Sequence, residues 1–208
     1  MIATDWYAWH APYDDLTSPL ARRLEAVQEV LNGVLHGAPP GPLSAVSLAA
    51  GQSRDLIPLL IEHPRGRDVR ARLVELDARN ADFTEGALLG AALDGVDVVV
   101  GDAGCFDVFA GAVPADLVLV CGLFEELTLP EIGATIQALP QLCAEGATVI
   151  WTSDRASADV RAWFADAGFR PQPVPAEGAD REASTVGVHR WTGPAGRLRP
   201  AERVFRLG

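Results

Sequence analysis

The sequence contains no lysine: its 17 basic residues are all arginine, set against 28 acids for a formal net charge of −11. Exclusive use of arginine reads as a coding bias rather than a mechanism. A protein that grips a phosphate backbone needs a basic surface, because its affinity comes largely from neutralising phosphates. The densest arginine groups, Arg65-Arg67-Arg70-Arg72 and the stretch from Arg197 to Arg206, have no interleaved aromatics and read as solvated surface. Nucleic acid is therefore excluded as an expected partner, which leaves a small molecule. Cysteine is scarce as well. Cys105, Cys121 and Cys143 are an odd number without metal-ligand spacing, so they read as buried thiols of a reducing compartment, and no metal is expected. No apolar run reaches the ~18 residues that would cross a bilayer. The first 13 residues hold aromatics but no arginine, so no secretory leader is read there, and the expected location is the cytoplasm.

What is present is core material. Apolar residues make up 49% and charged residues 22% of 208, enough to fill one α/β domain. From Pro19 to Leu35 the residues Leu20, Leu24, Val27, Leu31 and Val34 recur at helical spacing, with Ser18 as N-cap and Pro19 at the first helical position. The Gly37–Pro42 breaker run then separates a helical prefix, residues 1–40, from the main domain, residues 41–208. Strands and helices alternate beyond it. Strands are expected at Ala45–Ala49, Val69–Leu76, Val96–Val100, Leu117–Cys121 and Ala147–Thr152, and helices at Ser53–Glu62, Asn80–Leu93, Pro130–Cys143 and Ala156–Ala167. A short helical turn fits Phe106–Ala110. Near-continuous apolar strands such as Asp97–Val100 and Leu117–Val120 mark a parallel sheet covered by helices on both faces. Gly168-Phe169 and Ser184–Trp191 have no helix between them and read as an antiparallel hairpin closing the sheet edge; the arginine-rich tail beyond reads as surface coil.

The richest segment is Val46-Ser-Leu-Ala49-Ala50-Gly51-Gln-Ser53-Arg-Asp55, a strand entering a small-residue turn. Ligands of open α/β sheets bind beyond the C-terminal strand ends. Small residues there allow close backbone approach, and Ser53 can cap the next helix, whose N-terminus favours a negative group. The second strand runs into Asp77, and a carboxylate about 20 residues past such a turn can accept both ribose hydroxyls of an adenosine ligand. The third ends at Gly101-Asp102-Ala103, a second acid at the same sheet edge. The blander explanation is that both acids cap the following helices, but together with the small-residue turn they favour a ligand.

These segments resemble class I S-adenosylmethionine-dependent methyltransferases. Val46–Asp55 is similar to the turn that cradles the amino-acid part of the donor, Glu75-Leu76-Asp77 to the second-strand acid that holds the ribose, and Gly101-Asp102-Ala103 to the pair beside adenine. Asp116–Gly122 is similar to the fourth strand, with Cys121 and Gly122 facing donor and acceptor. The resemblance covers about Ala45 to Thr192. It implies a Rossmann-like, mostly parallel seven-stranded sheet of order 3-2-1-4-5-7-6 with an antiparallel last strand, and S-adenosyl-L-methionine as cofactor. One departure is Ser53, where the family turn usually carries a second glycine. Ala49, Ala50, Gly51, Ser53, Asp77, Asp102, Ala103, Cys121 and Gly122 are the expected donor contacts, joined by Tyr13 from a prefix that folds over the donor.

Methyl transfer is an in-line displacement that positioning accelerates, and a base is needed only when the acceptor must lose a proton. His10, in the aromatic stretch Trp6–Tyr13, and Glu125, after the fourth strand, are the candidates; Glu131 is explained by a Thr128–Glu131 capping box. His36, His63 and His189 read as helix-end or core residues. The expected activity is O- or N-methylation of a small-molecule acceptor, with no nucleic acid, no membrane and a homodimer left open. The alternatives are a donor-binding fold without catalysis and an NAD-dependent oxidoreductase, which calls for a G-x-G-x-x-G not found here.

Overall fold

The computed structural model describes residues 4–154, 157–174, 185–199 and 203–207. The expectations on residues 1–3, Arg155, Ala156, the loop 175–184 and residues 200–202 lie outside the described residues.

A 3-10 turn at Ala8–Asp14 leads into α1 (Pro19–Gly37), where the Ser18 hydroxyl accepts from the Ala21 N–H at 3.0 Å and Pro19 occupies the first turn. Next come β1 (Leu43–Leu48), α2 (Ile57–Glu62), β2 (Val69–Glu75), α3 (Ala78–Ala91) and β3 (Val96–Val100). A 3-10 turn at Phe106–Phe109 precedes β4 (Ala115–Val120), α4 (Leu129–Ala138), β5 (Cys143–Ser153), α5 (Ser157–Asp166), β6 (Phe169–Pro171) and β7 (Thr185–Trp191).

The seven strands form one sheet in the order β3-β2-β1-β4-β5-β7-β6, with β7 antiparallel to both neighbours. Successive strand residues face opposite layers, as the period of two requires. Val46, Val118 and Val120 join the core beneath α4 and α5 with Phe124 and Phe164. Ala45, Leu117 and Leu119 join the opposite core beneath α1 and α2 with Leu31 and Leu60.

Three local readings change. The Ser53 cap does not form: Leu56 holds the N-cap position of α2 without a side-chain cap, and the helix is only 6 residues long. The helix expected to reach Cys143 stops at Ala138, and a 3-10 turn at Leu139–Gln141 feeds an 11-residue β5. β3 is an edge strand, so its Asp97–Val100 run is only partly covered rather than buried on both faces.

The arginines read as solvated surface act partly as braces. Arg65 donates to the carbonyls of Ala38 (2.6 Å) and Gly41 (2.8 Å), fixing the breaker run, and Arg72 donates to the Ala110 carbonyl at 2.6 Å. The tail is coil, as expected, but it is anchored: Phe205 is 2% exposed, inside the core beneath α4 and α5, while the other described tail residues are partly or fully exposed. No helix among the described residues is long and apolar enough to cross a membrane.

Candidate functional site

A cavity of about 810 Å³, its open mouth included, lies at the C-terminal ends of β1, β2, β4 and β5. Its floor includes Gly51, Glu75, Cys121 and Thr152, and its roof is the prefix, through Trp6, Trp9, His10 and Tyr13 together with Arg23 of α1.

The turn after β1 carries three left-handed residues, Ala49 (φ 50), Gly51 (φ 56) and Ser53 (φ 45). An L-residue in this region costs roughly 1–2 kcal/mol relative to a right-handed one. Strain of this kind persists where surrounding structure over-determines it, and it clusters at ligand sites. Backbone bonds help hold it here: the Ala50 N–H donates to the Val74 carbonyl and the Ser53 N–H to the Ala50 carbonyl, both at 2.9 Å.

The acid that reaches this turn is Glu75. Buried at 5% exposure, it accepts from the Gly51 N–H at 2.8 Å through Oε2 and from the Asp77 N–H at 2.9 Å through Oε1. Asp77, expected there from the sequence, instead caps α3: its Oδ1 accepts from the Arg79 N–H at 2.9 Å, and Arg79 lies 2.7 Å from Asp5 of the prefix. The Arg79 guanidinium holds the Asp77 carboxyl below the usual carboxylate range. One residue, Leu76, separates the acids along the chain, and the strand ends at the first of them. Asp77 does not line the cavity.

Asp102 and Ala103 do not line it either. Ala103 is core, at 2% exposure, and Asp102 accepts from the Gly104 N–H at 2.8 Å while pairing with Arg203 of the tail. The Val204 N–H donates to the Gly104 carbonyl at 2.8 Å, and Leu207 reaches the cavity wall. The tail is thus laced to the loop after β3, a long-range pairing invisible to local pattern.

His10 lies on the turn itself. Its Nδ1 is 2.8 Å from the Trp6 carbonyl and its Nε2 accepts from the Gln52 N–H at 3.3 Å, which assigns the proton to Nδ1. A Cβ on Gly51 would stand 2.3 Å from Nε2, so only glycine permits this approach. Burial lowers the His10 pKa. Tyr13 is beside it, ring centroids 5.8 Å apart, and burial pushes its phenol up to about 12.

At the opposite end Glu125 forms a buried ion pair with Arg23, each side chain 8% exposed. Thr152 Oγ1 donates to the same Glu125 oxygen at 3.4 Å and accepts from the Gly122 N–H at 2.8 Å. Arg23 Nη2 and Glu125 Oε2 are left without partners. A buried polar atom in that condition costs about 1–3 kcal/mol. Burial raises the Glu125 carboxyl, partly opposed by Arg23. Asp55 also lines the cavity, its carboxyl raised to about 6 by desolvation and touched by the Cys121 thiol. Among the described residues no group of three or more His, Cys, Asp or Glu could hold a metal ion.

Of the sequence candidates, His10, Tyr13, Ala49, Ala50, Gly51, Ser53, Cys121 and Gly122 line this one cavity, and Glu125 stands immediately behind its wall. Sequence reasoning does not single out Arg23, Asp55 or Glu75 as site residues. Glu75 carried a signal as the first acid of the strand-end triplet; Arg23 had none, being one polar position of an ordinary amphipathic helix.

A seven-stranded sheet with this order and its single antiparallel β7, carrying a cavity over the β1 turn, has the fold of class I S-adenosylmethionine-dependent methyltransferases. The chain is similar to the magnesium protoporphyrin IX methyltransferase from Synechocystis PCC 6803, solved with bound S-adenosylmethionine, at 13% identity and TM-score 0.69 over 92% of this chain and 100% of that one. It is similar to an O-methyltransferase family protein from Burkholderia thailandensis at 17% identity and TM-score 0.65, covering 86% of this chain and 58% of that one. A third similar structure is the CurJ carbon methyltransferase, at 13% identity and TM-score 0.66 over 91% of this chain and 62% of that one. No protein-family model and no curated protein sequence matches the chain.

Proposed function

We propose that the protein is an S-adenosylmethionine-dependent methyltransferase that methylates an oxygen or nitrogen of a small, partly apolar acceptor. The observation that carries this reading is the turn Ala49–Ser53, which keeps a glycine-like backbone at two residues that are not glycine, with Glu75 bonded to its centre. Strain retained at a strand end facing a cavity fits a turn shaped to a ligand. The antiparallel β7 between β5 and β6 weighs against the NAD-dependent alternative. The donor, when bound, supplies a methyl group on a sulfonium. Around it Glu75 would accept from the ribose hydroxyls, and the turn would lie against the methionine portion. The prefix, residues 1–40, would act as a lid that excludes water, with Tyr13 and His10 facing the donor. Glu125, its carboxyl raised by burial, would accept a proton from the acceptor.

Calorimetry with S-adenosylhomocysteine is the test, supported by mass spectrometry of small molecules released on denaturation. Saturable binding at micromolar concentration is the expected result. Release of NAD instead, or no binding at millimolar S-adenosylhomocysteine, would refute the assignment.

A further inference from the structure

The charges on the cavity wall do not balance. Both of its arginines are engaged, Arg23 with Glu125 and Arg54 with Asp14 at 2.7 Å. The carboxylates on the wall, Asp55, Glu75 and Glu126, form no ion pair among the described residues. Glu75 is held instead by N–H donors from Gly51, Asp77 and Asn80, and Glu126 is exposed to solvent. Asp55 has neither support. It is only partly accessible, and its carboxyl meets the N–H of the next residue, Leu56, at 2.8 Å and the Cys121 thiol. A desolvated carboxylate without a counter-charge is costly, which is why burial raises this one to about 6. Glu125 stands behind the wall, whereas Asp55 is part of it and keeps accessible surface.

Asp55 also belongs to the other end of the cavity from Glu75. The Tyr13 phenol feels Arg23, Asp55, Cys121 and Glu125, while His10, on the turn, feels Glu75 and Arg54. The donor's ammonium and carboxylate cancel, so its sulfonium charge offsets one carboxylate and leaves the wall negative. Aromatic faces add to that preference: Trp9 and Tyr13 line the same cavity with ring centroids 6.0 Å apart, and such faces attract cations. An anionic acceptor would meet further carboxylates, and a neutral one would leave Asp55 without a counter-charge. We infer that Asp55 is the residue that selects the acceptor, and that the acceptor is a cationic amine on a small apolar body, its N–H donating to Asp55 and its body lying against Trp9 and Tyr13. This rests on the methyltransferase reading and narrows its acceptor class.

The test uses three probes of similar shape and different charge: 2-phenylethylamine, 2-phenylethanol and 3-phenylpropionate. Each is titrated calorimetrically into the full chain, with and without saturating S-adenosylhomocysteine, at about pH 8, where Asp55 is ionised and an alkylamine is still protonated. The amine should bind about tenfold or more tightly than the alcohol or the acid, as a charge-assisted hydrogen bond at a desolvated site provides. Asp55→Asn keeps the shape and removes a buried charge, so the variant should fold. It should bind the amine no better than the alcohol, while its affinity for S-adenosylhomocysteine stays within about twofold, far less than the loss of a charged hydrogen bond. Glu126→Gln, at an exposed carboxylate, should retain the preference for the amine. Equal affinities in the native protein, no binding of any probe, or a preference that survives Asp55→Asn would overturn the inference. So would a variant that loses S-adenosylhomocysteine and keeps the amine preference, because Asp55 would then hold the donor's ammonium. A native protein that prefers the amine but binds no S-adenosylhomocysteine would overturn the methyltransferase reading instead, since the ranking is also read in its absence.

Discussion

Ala49 and Ser53 carry a Cβ at backbone angles where glycine is the comfortable residue. Replacing Ser53 by glycine relieves a left-handed L-residue, and the extra freedom of the unfolded chain offsets part of the gain, so a net stabilisation of about 0.5–1 kcal/mol is expected. Urea denaturation measures it, and a destabilised Ser53→Gly would mean that the hydroxyl contributes more than the strain costs. Glu75 and Asp77 separate by the same logic. Glu75→Gln should weaken S-adenosylhomocysteine binding about tenfold or more, since a hydrogen bond to a charged group contributes about 1.5–3 kcal/mol. Asp77→Ala should leave binding within about twofold and cost ~1 kcal/mol of stability through the lost cap. The reverse pattern in calorimetry and denaturation would restore Asp77 to the site. Asp55 supplies a pH signature. Its carboxyl titrates at about 6 when folded against 3.8 for the ordinary group, so between those values the folded state holds the extra proton. Stability from this residue is present below the window and lost as pH rises through it. Asp55→Asn should therefore gain up to about 3 kcal/mol over the native protein above pH 6 and nothing below pH 4. An advantage constant across that range would show that the carboxyl is not buried in this way.

Among the elements, the prefix has the strongest claim on function and the least support from local pattern. The aromatics Trp6, Trp9 and Tyr13 lie on the cavity, and His10 takes the Gln52 N–H of the turn. A lid must release that bond to admit a ligand against the turn. Hydrogen exchange over residues 5–20, with and without S-adenosylhomocysteine, separates the two readings. Ligand-dependent protection of the prefix, with altered exchange at Gln52, marks a lid. Equal protection in both states would make these aromatics core and remove His10 from the chemistry. α1 was legible because its cap, proline and apolar stripe are all local. The sequence pattern overextends α2 because its apolar positions continue back into the turn, where Ser53 has left-handed backbone and cannot be helical. The β3 pattern points to burial on both faces because three consecutive valines look alike at an edge and at the centre of a sheet.

For the whole molecule, the tail is the feature that only three dimensions reveal. Phe205 is 2% exposed in a segment without helix or named strand. Phe205→Ala should cost about 3 kcal/mol or more, the magnitude of a large core truncation. Thermal unfolding would register it as a clear drop, and a loss below 0.5 kcal/mol would return the tail to the surface. Local information in the chain determined the alternation of strands and helices, the breaker at residues 37–42 and the small-residue turn, because periodicity, capping and turn chemistry act over a few residues. Tertiary structure alone decided that Glu75 rather than Asp77 reaches the turn, that Arg203 takes Asp102, and that Arg23 meets Glu125. The partners of those last two pairs are 101 and 102 residues apart in sequence, and no local preference encodes which distant charge will be paired with which.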